Sequence, residues 1–475
     1  MARRLLIFLL ILQALTHLFW LSPSVHSGQM AIPWLMNNGM RLFDDILEQH
    51  APGSSLLGAA AQRLPLDPAQ AIKLLNTLLV IAFTLLIYLL AKRLAGSATA
   101  GILAALVYAW WEPVYGNVML YFDTLLALCV LAALLTYFAK PERPSTRQVI
   151  LIGLLMGAAT LFKQHAWLAA GLMFLWLMLT DGRRKIALVY AGAVLLLPLF
   201  QWALLLAEGS LSSYFYWNWT FNLSGLMDGV PLDGDLFRKL LLGNLLVFPF
   251  ALLAWTEADR RQFLLVLMWL ASLSVLYPRF GEIHAMGHLA LASVMSGIVL
   301  ARMGPILADW RSWDVARLVL AGLGFGIGLG WLWTGAAIYL HVPLGPGATL
   351  GYDEFSELAS ELNARKEAGD TLFLLPETDS SPQLHPLTQM PPPGVWVKGW
   401  HWYFRAEGLL ERLKGDWADE PPTWIVVFPD LILAENRGLL ELLDIVDERY
   451  QQVAEVADIY GHGAAKIYRL ESARE

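Results

Sequence analysis

The sequence predicts a polytopic α-helical membrane protein that ends in a smaller α/β domain. Of its 475 residues, 57% are hydrophobic and 15% are charged, whereas a soluble domain has about 45–50% apolar and about 25% charged residues. The excess lies in long uncharged runs, and about 18 consecutive apolar residues suffice for a helix to cross a bilayer. These runs end near residue 341, which predicts a transmembrane domain over 1–340 and a second domain over 341–475.

Composition also limits the partners of the chain. The net charge is −7 and no basic tract is present, so nothing favours nucleic acid. The single cysteine, Cys129, lies inside an apolar run, so the chain has no disulfide framework. The lipid bilayer is the partner that the composition predicts.

The apolar runs predict about eleven spans. The first follows Arg3 and Arg4 and has no clear Ala-x-Ala-like cleavage site after it, which predicts a retained anchor helix. The fifth and sixth runs are short and could form a re-entrant pair. The predicted spans cover residues 4–22, 71–91, 97–112, 118–138, 148–162, 165–180, 186–207, 238–255, 263–278, 284–302 and 316–340.

The distribution of Lys and Arg predicts the orientation of these spans. Loops on the side of the N-terminus hold about 15 basic residues, against about seven in or beside the loops of the other side, and the richer side is cytoplasmic. The N-terminus is then cytoplasmic. The first loop (23–70), the loop 208–237 and the C-terminal domain are predicted to lie outside.

The C-terminal domain alternates helical and strand patterns. Glu354–Ala368 has apolar residues at helical spacing, and Leu439–Tyr450 is a second predicted helix. Short apolar runs at Thr371–Leu375, Thr423–Phe428 and Ala464–Leu470 predict strands. This alternation is typical of an α/β domain.

The first outer loop holds an unusual group of titratable residues: Asp44, Asp45, Glu48 and His50. Charge beside hydrocarbon is costly unless it has a partner or a task. Asp44 or Asp45 could cap a helix that runs to Gln49, or could act as a general base. The sequence leaves both alternatives open.

Further charged residues lie at the predicted outer ends of spans. Lys163 could form a structural ion pair with Glu112 or Asp123, and Arg279 could be an interfacial anchor. Alternatively, outer cations could bind a phosphate group. The candidates of this kind are the carboxylates Glu112 and Asp123 and the cationic groups Lys163, Arg279 and His284.

Two aromatic clusters also have two possible explanations. The outer stretch Tyr214–Phe221 reads Tyr-Phe-Tyr-Trp-Asn-Trp-Thr-Phe. Aromatic rings stack on sugars, but the same residues form belts at membrane interfaces. Trp396, Trp400, Trp402 and Tyr403 could face the membrane, although the general burial of aromatic residues favours a core.

Several short motifs follow one another along the chain. The first loop has Gly39, Phe43, Asp45, His50 and Pro52-Gly53. After it come Tyr121-Phe-Asp123-Thr124, Phe162-Lys163-Gln164, Tyr277-Pro-Arg279-Phe280 with His284, Gly369-Asp370-Thr-Leu-Phe and Pro421-Pro422-Thr-Trp-Ile-Val-Val. In this order they resemble the GT-C glycosyltransferases that use polyprenyl- or dolichyl-phosphate sugars. The nearest resemblance is to the bacterial branch of the protein O-mannosyltransferase and aminoarabinose transferase group.

This resemblance implies a GT-C-like enzyme of the bacterial inner membrane with a periplasmic α/β domain. It implies inverting transfer of a sugar from a polyprenyl-phosphate donor to a periplasmic lipid, glycan or protein, with no cofactor and no metal. A carboxylate would deprotonate the acceptor, and cations would stabilise the leaving phosphate. The residues implied are Asp45 or Asp44 as base and Arg279, Lys163 and His284 on the phosphate, with His50, Glu48, Glu112 and Asp123 as further candidates.

One segment departs from the family pattern. Members commonly carry an Asp or an Asp-Glu pair directly after the first span, and this acid is the expected base. Here His26-Ser-Gly-Gln-Met30 contains no carboxylate. Either Asp44 or Asp45 takes this role, or the mechanism is modified.

Two other functions compete with this transferase. One is a flippase or transporter of lipid-linked sugars, and the other is a polyprenyl-dependent glycan ligase. A transporter is expected to have internal repeats and paired broken helices, but no convincing repeat is present. The sequence has no P-loop or dinucleotide-binding glycine pattern, and its soluble domain is predicted outside, which favours a lipid-linked donor over a nucleotide sugar.

Overall fold

The computed structural model describes residues 1–20, 27–115, 120–140, 144–181, 184–227, 229, 231–277, 280–308, 328–337, 355–377, 381–400, 402–432, 436–459 and 463–471. Contacts within the chain divide it into two compact units. Unit 1 comprises Met1–Ser22, Leu74–Gln201 and Gly229–Gly347, and unit 2 comprises Pro23–Lys73, Trp202–Asp228 and Ala348–Glu475. The first loop is thus grouped with the C-terminal segment, while the domain boundary at residue 341 stays a prediction.

Helices make up most of the described chain. In order they are α1 (Ala2–Leu15), α2 (Ser27–Asn37), α3 (Gly53–Gln62), α4 (Pro68–Ala95), α5 (Ala98–Trp111), α6 (Phe122–Tyr137), α7 (Thr146–Thr160), α8 (Ala166–Asp181), α9 (Arg184–Glu208), α10 (Leu211–Phe215), α11 (Gly234–Gly243), α12 (Val247–Thr256), α13 (Arg260–Ser272), α14 (Met286–Ala308), α15 (328–337), α16 (Ser356–Arg365), α17 (Leu384–Thr388), α18 (Leu409–Asp419) and α19 (Arg437–Arg449). The strands are β1 (Ile46–Leu47), β2 (Leu372–Leu375), β3 (Trp396–Val397), β4 (Trp424–Val427), β5 (Tyr450–Ile459) and β6 (Gly463–Leu470).

Helical segments coincide with the predicted spans, including the part of the last span that the structure describes. By length and composition, four of the described helices can cross a bilayer: α1 with the π-helical turn that follows it, α4, α9 and α14. The bent pair α11 and α12, which meet at 44°, would form a fifth span together, and α6, α7 and α8 are shorter apolar helices. The chain is therefore a multi-pass membrane protein, whereas the count of about eleven spans stays a prediction.

Hydrogen bonds in unit 1 show which helix ends lie together. The guanidinium of Arg93, near the end of α4, donates to the carbonyl of Leu135 near the end of α6 (3.4 Å). The amide of Gln148, at the start of α7, donates to the carbonyl of Thr136 (2.5 Å). The opposite ends of α6 and α7 therefore carry the candidate residues Asp123 and Lys163.

Unit 2 contains a four-stranded mixed sheet in the order β2-β4-β6-β5. β2 and β4 are parallel, and β6 is antiparallel to both β4 and β5. Every residue of β2 and β4 is buried, as expected for strands covered on both faces. The three predicted strands correspond to β2, β4 and β6, whereas β5 follows α19 where the sequence analysis predicted no strand.

A second strand pair in unit 2 joins the first loop to the C-terminal segment. β1 and β3 are parallel, with Ile46 opposite Trp396 and Leu47 opposite Val397, and the amide of Trp396 donates to the carbonyl of Asp45 (2.7 Å). Trp396, Trp402 and Tyr403 are buried in the same core as Ile46. Core packing therefore accounts for most of this aromatic cluster.

Candidate functional site

Unit 1 brings three of the predicted residues into one largely buried cluster. Asp123 lies in the first turn of α6, Lys163 in the turn between α7 and α8, and His284 in the 3₁₀ turn before α14. The ammonium of Lys163 is 2.9 Å from both carboxylate oxygens of Asp123, and Nδ1 of His284 is 2.7 Å from Oδ2. One carboxylate thus orients two groups that can carry positive charge.

The geometry fixes the hydrogen on His284. An ionised carboxylate only accepts hydrogen bonds, so Nδ1 of His284 must donate to Asp123. The same Nδ1 lies 3.3 Å from the ammonium of Lys163, and two donors do not bond to each other. The ring of Tyr121 lies beside the imidazole, with 5.4 Å between ring centroids, which further restricts its orientation.

A second buried pair lies in unit 1. Nε2 of His17, in the π-helical turn after α1, is 3.1 Å from a carboxylate oxygen of Glu112, in the 3₁₀ turn after α5. The turn Glu112–Tyr115 contacts the turn Glu282–Ala285 that holds His284. The pair and the cluster therefore lie at the same end of unit 1. The sequence did not predict His17, whose only signal is a polar residue near the end of an apolar run.

In unit 2, Glu48 is fully buried between two basic groups. It accepts hydrogen bonds from the backbone amide (3.0 Å) and from Nδ1 (2.5 Å) of His50, and the ammonium of Lys398 is 3.2 Å away. Burial alone would raise the pKa of Glu48, but the charges of Lys398 and His50 outweigh it and hold the pKa well below its usual range. Glu48 is therefore an ionised structural anchor of the acidic loop, residues 41–50.

Asp44 and Asp45 have different surroundings within the acidic loop. The hydroxyls of Ser210 and Ser213 donate to Asp44 at 2.5 and 2.6 Å. Asp45 accepts from the backbone amide of Arg41 at 2.8 Å and lies 3.4 Å from its guanidinium. The side chain of Asp44 is 17% exposed and that of Asp45 is 33% exposed, so Asp45 is the more accessible carboxylate.

The helix-cap explanation for Asp44 and Asp45 is wrong. The acidic loop forms turns and then the short strand β1, rather than a helix that runs to Gln49. Phe43 adopts a φ of +76°, a conformation that a bulky side chain rarely takes. It is buried against Tyr214, with ring centroids 5.1 Å apart, and this packing holds the strained turn.

The structure therefore brings the predicted residues together in two separate groups. Asp123, Lys163 and His284 meet in unit 1, and Glu48 and His50 meet in unit 2 beside Asp44 and Asp45. Arg279 lies outside the described residues, as does His26 of the segment that lacks the expected acid. The sequence did not predict Lys398, Ser210 and Ser213, because no local pattern relates them to a loop more than 150 residues earlier.

Comparison with known proteins identifies the fold. Residues 49–205 match the family model of the dolichyl-phosphate-mannose-protein mannosyltransferases. ArnT from Cupriavidus metallidurans, solved with undecaprenyl phosphate, is 13% identical with a TM-score of 0.66 over 98% of each chain. The oligosaccharyltransferase AglB from Archaeoglobus fulgidus, solved with an inhibitory peptide and a dolichol-phosphate, is 11% identical with a TM-score of 0.57 over 98% of this chain and 74% of that chain.

A third solved structure extends the same likeness. The arabinofuranosyltransferase AftD from mycobacteria is 16% identical with a TM-score of 0.53, over 99% of this chain and 42% of that chain. No curated protein sequence matches the chain. The chain has the fold of the GT-C glycosyltransferases, which confirms the resemblance predicted from its motifs.

Removal of the partner of Glu48 tests its role as an anchor. We expect Lys398→Met to lower the free energy of unfolding by about 3–5 kcal/mol, because it leaves a buried carboxylate without its cation. The double variant Glu48→Gln/Lys398→Met should recover part of this loss. The measurement is denaturant unfolding of the purified protein in detergent.

The exposed ion pair between Lys414 and Glu441 in the same unit supplies the matched control. Lys414→Met removes an equal charge, but water solvates the remaining carboxylate, so its stability should change little. If Lys398→Met were as mild as Lys414→Met, Glu48 would not be an anchor of the loop.

Proposed function

We propose that this protein is an integral membrane glycosyltransferase that moves a sugar from a polyprenyl-phosphate donor to an acceptor on the outer side of the bacterial inner membrane. The Asp123–Lys163–His284 cluster is the observation that carries the proposal. Its two basic groups, both oriented by one carboxylate, lie at the ends of apolar helices, where we expect the phosphate of a lipid donor to lie. The fold supports it, because ArnT has this fold and was solved with undecaprenyl phosphate.

The chemistry of the cluster suits a phosphate leaving group. In the proposed reaction an acceptor oxygen or nitrogen attacks the anomeric carbon from the side opposite the phosphate, so the configuration inverts. The bond between the anomeric carbon and the phosphate oxygen breaks, and both electrons leave with polyprenyl phosphate. Lys163 and His284, held in place by Asp123, would stabilise that negative charge, and a buried site makes such stabilisation strong. Arg279 is proposed to act on the same phosphate.

The attacking acceptor must also lose a proton, and Asp45 is the proposed base. Glu48 is committed to Lys398 and His50, and Asp44 accepts two serine hydroxyls. Asp45 is the most exposed of the three side chains, so an acceptor can reach it most readily.

A reconstituted assay tests the function itself. Purified protein in liposomes would receive undecaprenyl phosphate that carries a radiolabelled sugar, together with a delipidated bacterial envelope extract as acceptor. We expect label to pass to the extract with release of undecaprenyl phosphate. Movement of intact donor between leaflets, without release, would instead identify a flippase.

The base assignment predicts a specific loss in the same assay. Asp45→Asn should lower the transfer rate by about 10²–10⁴-fold, the usual contribution of a general base, with donor binding unchanged. Asparagine keeps an oxygen that can accept from the amide of Arg41, so the turn should persist. Asp44→Asn is the matched control, and we expect it to lower stability more than rate. Full activity of Asp45→Asn would refute the assignment.

A double variant distinguishes phosphate binding by Lys163 from a purely structural ion pair. Lys163→Met alone should destabilise the protein, because it leaves Asp123 buried without its cation. Asp123→Asn/Lys163→Met removes both charges and should regain thermal stability. If Lys163 binds the donor, the double variant still binds undecaprenyl phosphate at least about tenfold more weakly, since a charged hydrogen bond contributes about 1.5–3 kcal/mol. If the stable double variant binds undecaprenyl phosphate normally, the Asp123–Lys163 pair has only a structural role.

A further inference from the structure

The aromatic stretch of the second outer loop forms a two-faced segment in unit 2. The aromatic segment, residues 211–226, comprises α10, the π-helical turn Tyr216–Phe221 and the turn after it. Its buried side chains are Tyr214, Trp217, Asn218 and Phe221. On the other face Phe215 and Tyr216 are each 38% exposed and Leu223 is 80% exposed.

The buried face holds the acidic loop through its backbone. The amide of Asn218 donates to the carbonyl of His50 (2.7 Å), and the amide of Asn222 donates to the carbonyl of Gln49 (2.8 Å). The ring of Trp217 stacks on Tyr403, with centroids 5.6 Å apart. The buried face therefore packs against other parts of unit 2, and its hydrogen bonds hold the segment against the acidic loop.

The exposed face continues an apolar surface at the end of α9. Leu204 and Leu206, in the last turns of α9, are exposed, and Trp202 packs against Phe215 with ring centroids 5.5 Å apart. α9 itself is apolar enough to span a bilayer and buries little of its surface. Only Gly209, with a φ of +81°, and Ser210 separate α9 from the aromatic segment. The exposed face thus continues the exposed surface of the last turns of α9, which belong to unit 2.

Charge identifies the kind of lipid surface that this face fits. Residues 209–227 contain no Lys, Arg, Asp or Glu. The exposed Arg405 donates to the carbonyl of Leu226 (2.9 Å), but the negative charge of Glu407 acts on Tyr216. These opposite charges offset each other, so the segment has little basis for the attraction of anionic lipids to basic residues. Large apolar and aromatic side chains, in contrast, favour the boundary between headgroups and acyl chains regardless of lipid charge.

We infer that the aromatic segment lies in the bilayer interface, with Phe215, Tyr216 and Leu223 directed toward the acyl chains. Its partner is the lipid boundary itself, whether the lipids are neutral or anionic. Because its other face is bonded to His50 and Gln49, the segment holds the acidic loop at a constant depth at the membrane surface. This inference stands apart from the proposed transferase activity, since it concerns lipid contact alone.

Depth-dependent quenching tests the inference. In a Cys129→Ala background, Tyr216→Cys and Leu223→Cys would be labelled with an environment-sensitive fluorophore and reconstituted in phosphatidylcholine liposomes. Leu440→Cys is the matched control, since Leu440 is as exposed as Tyr216 but lies on the polar helix α19. We expect nitroxides high on the acyl chain to quench labels at 216 and 223, and aqueous iodide to quench the label at 440.

The outcomes separate the possible occupants. Equal quenching of all three labels by iodide would overturn the inference. Shielding of residue 216 only after addition of undecaprenyl-phosphate sugar or envelope extract would assign the face to a substrate, and would also overturn it. Quenching that requires phosphatidylglycerol would contradict the charge argument.

A second variant tests the link between the interface and the loop. Leu223→Asp places a charge in the apolar boundary, and we expect amide hydrogen exchange in residues 41–50 to become at least roughly tenfold faster in liposomes. Leu440→Asp should leave this exchange unchanged. Unchanged exchange in Leu223→Asp, with the fluorophore at 216 no longer quenched by lipid nitroxides, would refute the proposed control of loop position.

Discussion

The cost of a buried charge determines how both units are assembled. Asp123, Glu48 and Glu377 are almost completely buried, and each has a basic partner from a distant or separate element: Lys163 with His284, Lys398 with His50, and His385. A buried carboxylate without such a partner costs several kcal/mol. These contacts therefore fix which helix ends and strands can meet, more strictly than apolar packing, which tolerates exchange of one hydrophobic residue for another.

The partners of Glu48 and Glu377 differ in how strongly they keep the carboxylate ionised. Glu48 faces a lysine, and its pKa stays well below the usual range despite burial. Burial raises the pKa of Glu377, because the opposing effects of the His385 imidazole and of a hydrogen bond to Trp396 are smaller. Nδ1 of His385 must donate to the carbonyl of Met390 (2.9 Å), so the proton shared with Glu377 can sit on Nε2 or on the carboxylate. A buried carboxylate that pairs with lysine thus stays ionised and can anchor a loop, whereas one that pairs with histidine can be neutral.

The sequence predicted local structure better than distant partners. Apolar runs and periodicity located the helices of the predicted spans, α16, α19 and the strands β2, β4 and β6, because that signal lies within each segment. The pairing of β1 with β3 joins residues 350 positions apart, and no local pattern encodes it. The sequence offered Glu112 and Asp123 as partners for Lys163, since both follow from the same topology. In the structure Lys163 pairs with Asp123, whereas the carboxylate of Glu112 pairs with His17.

The absence of an acid at His26–Met30 gives the acidic loop its importance. A base must be held in place and yet remain able to receive a proton, and one carboxylate cannot satisfy both demands equally well. In the acidic loop, different carboxylates meet these two demands. Asp44 is fixed by Ser210 and Ser213, directly before and within the aromatic segment. Glu48 is fixed by Lys398. These contacts anchor both ends of the loop. Asp45 lies between them and is paired with Arg41, and its carboxylate remains accessible for the proton transfer that we propose.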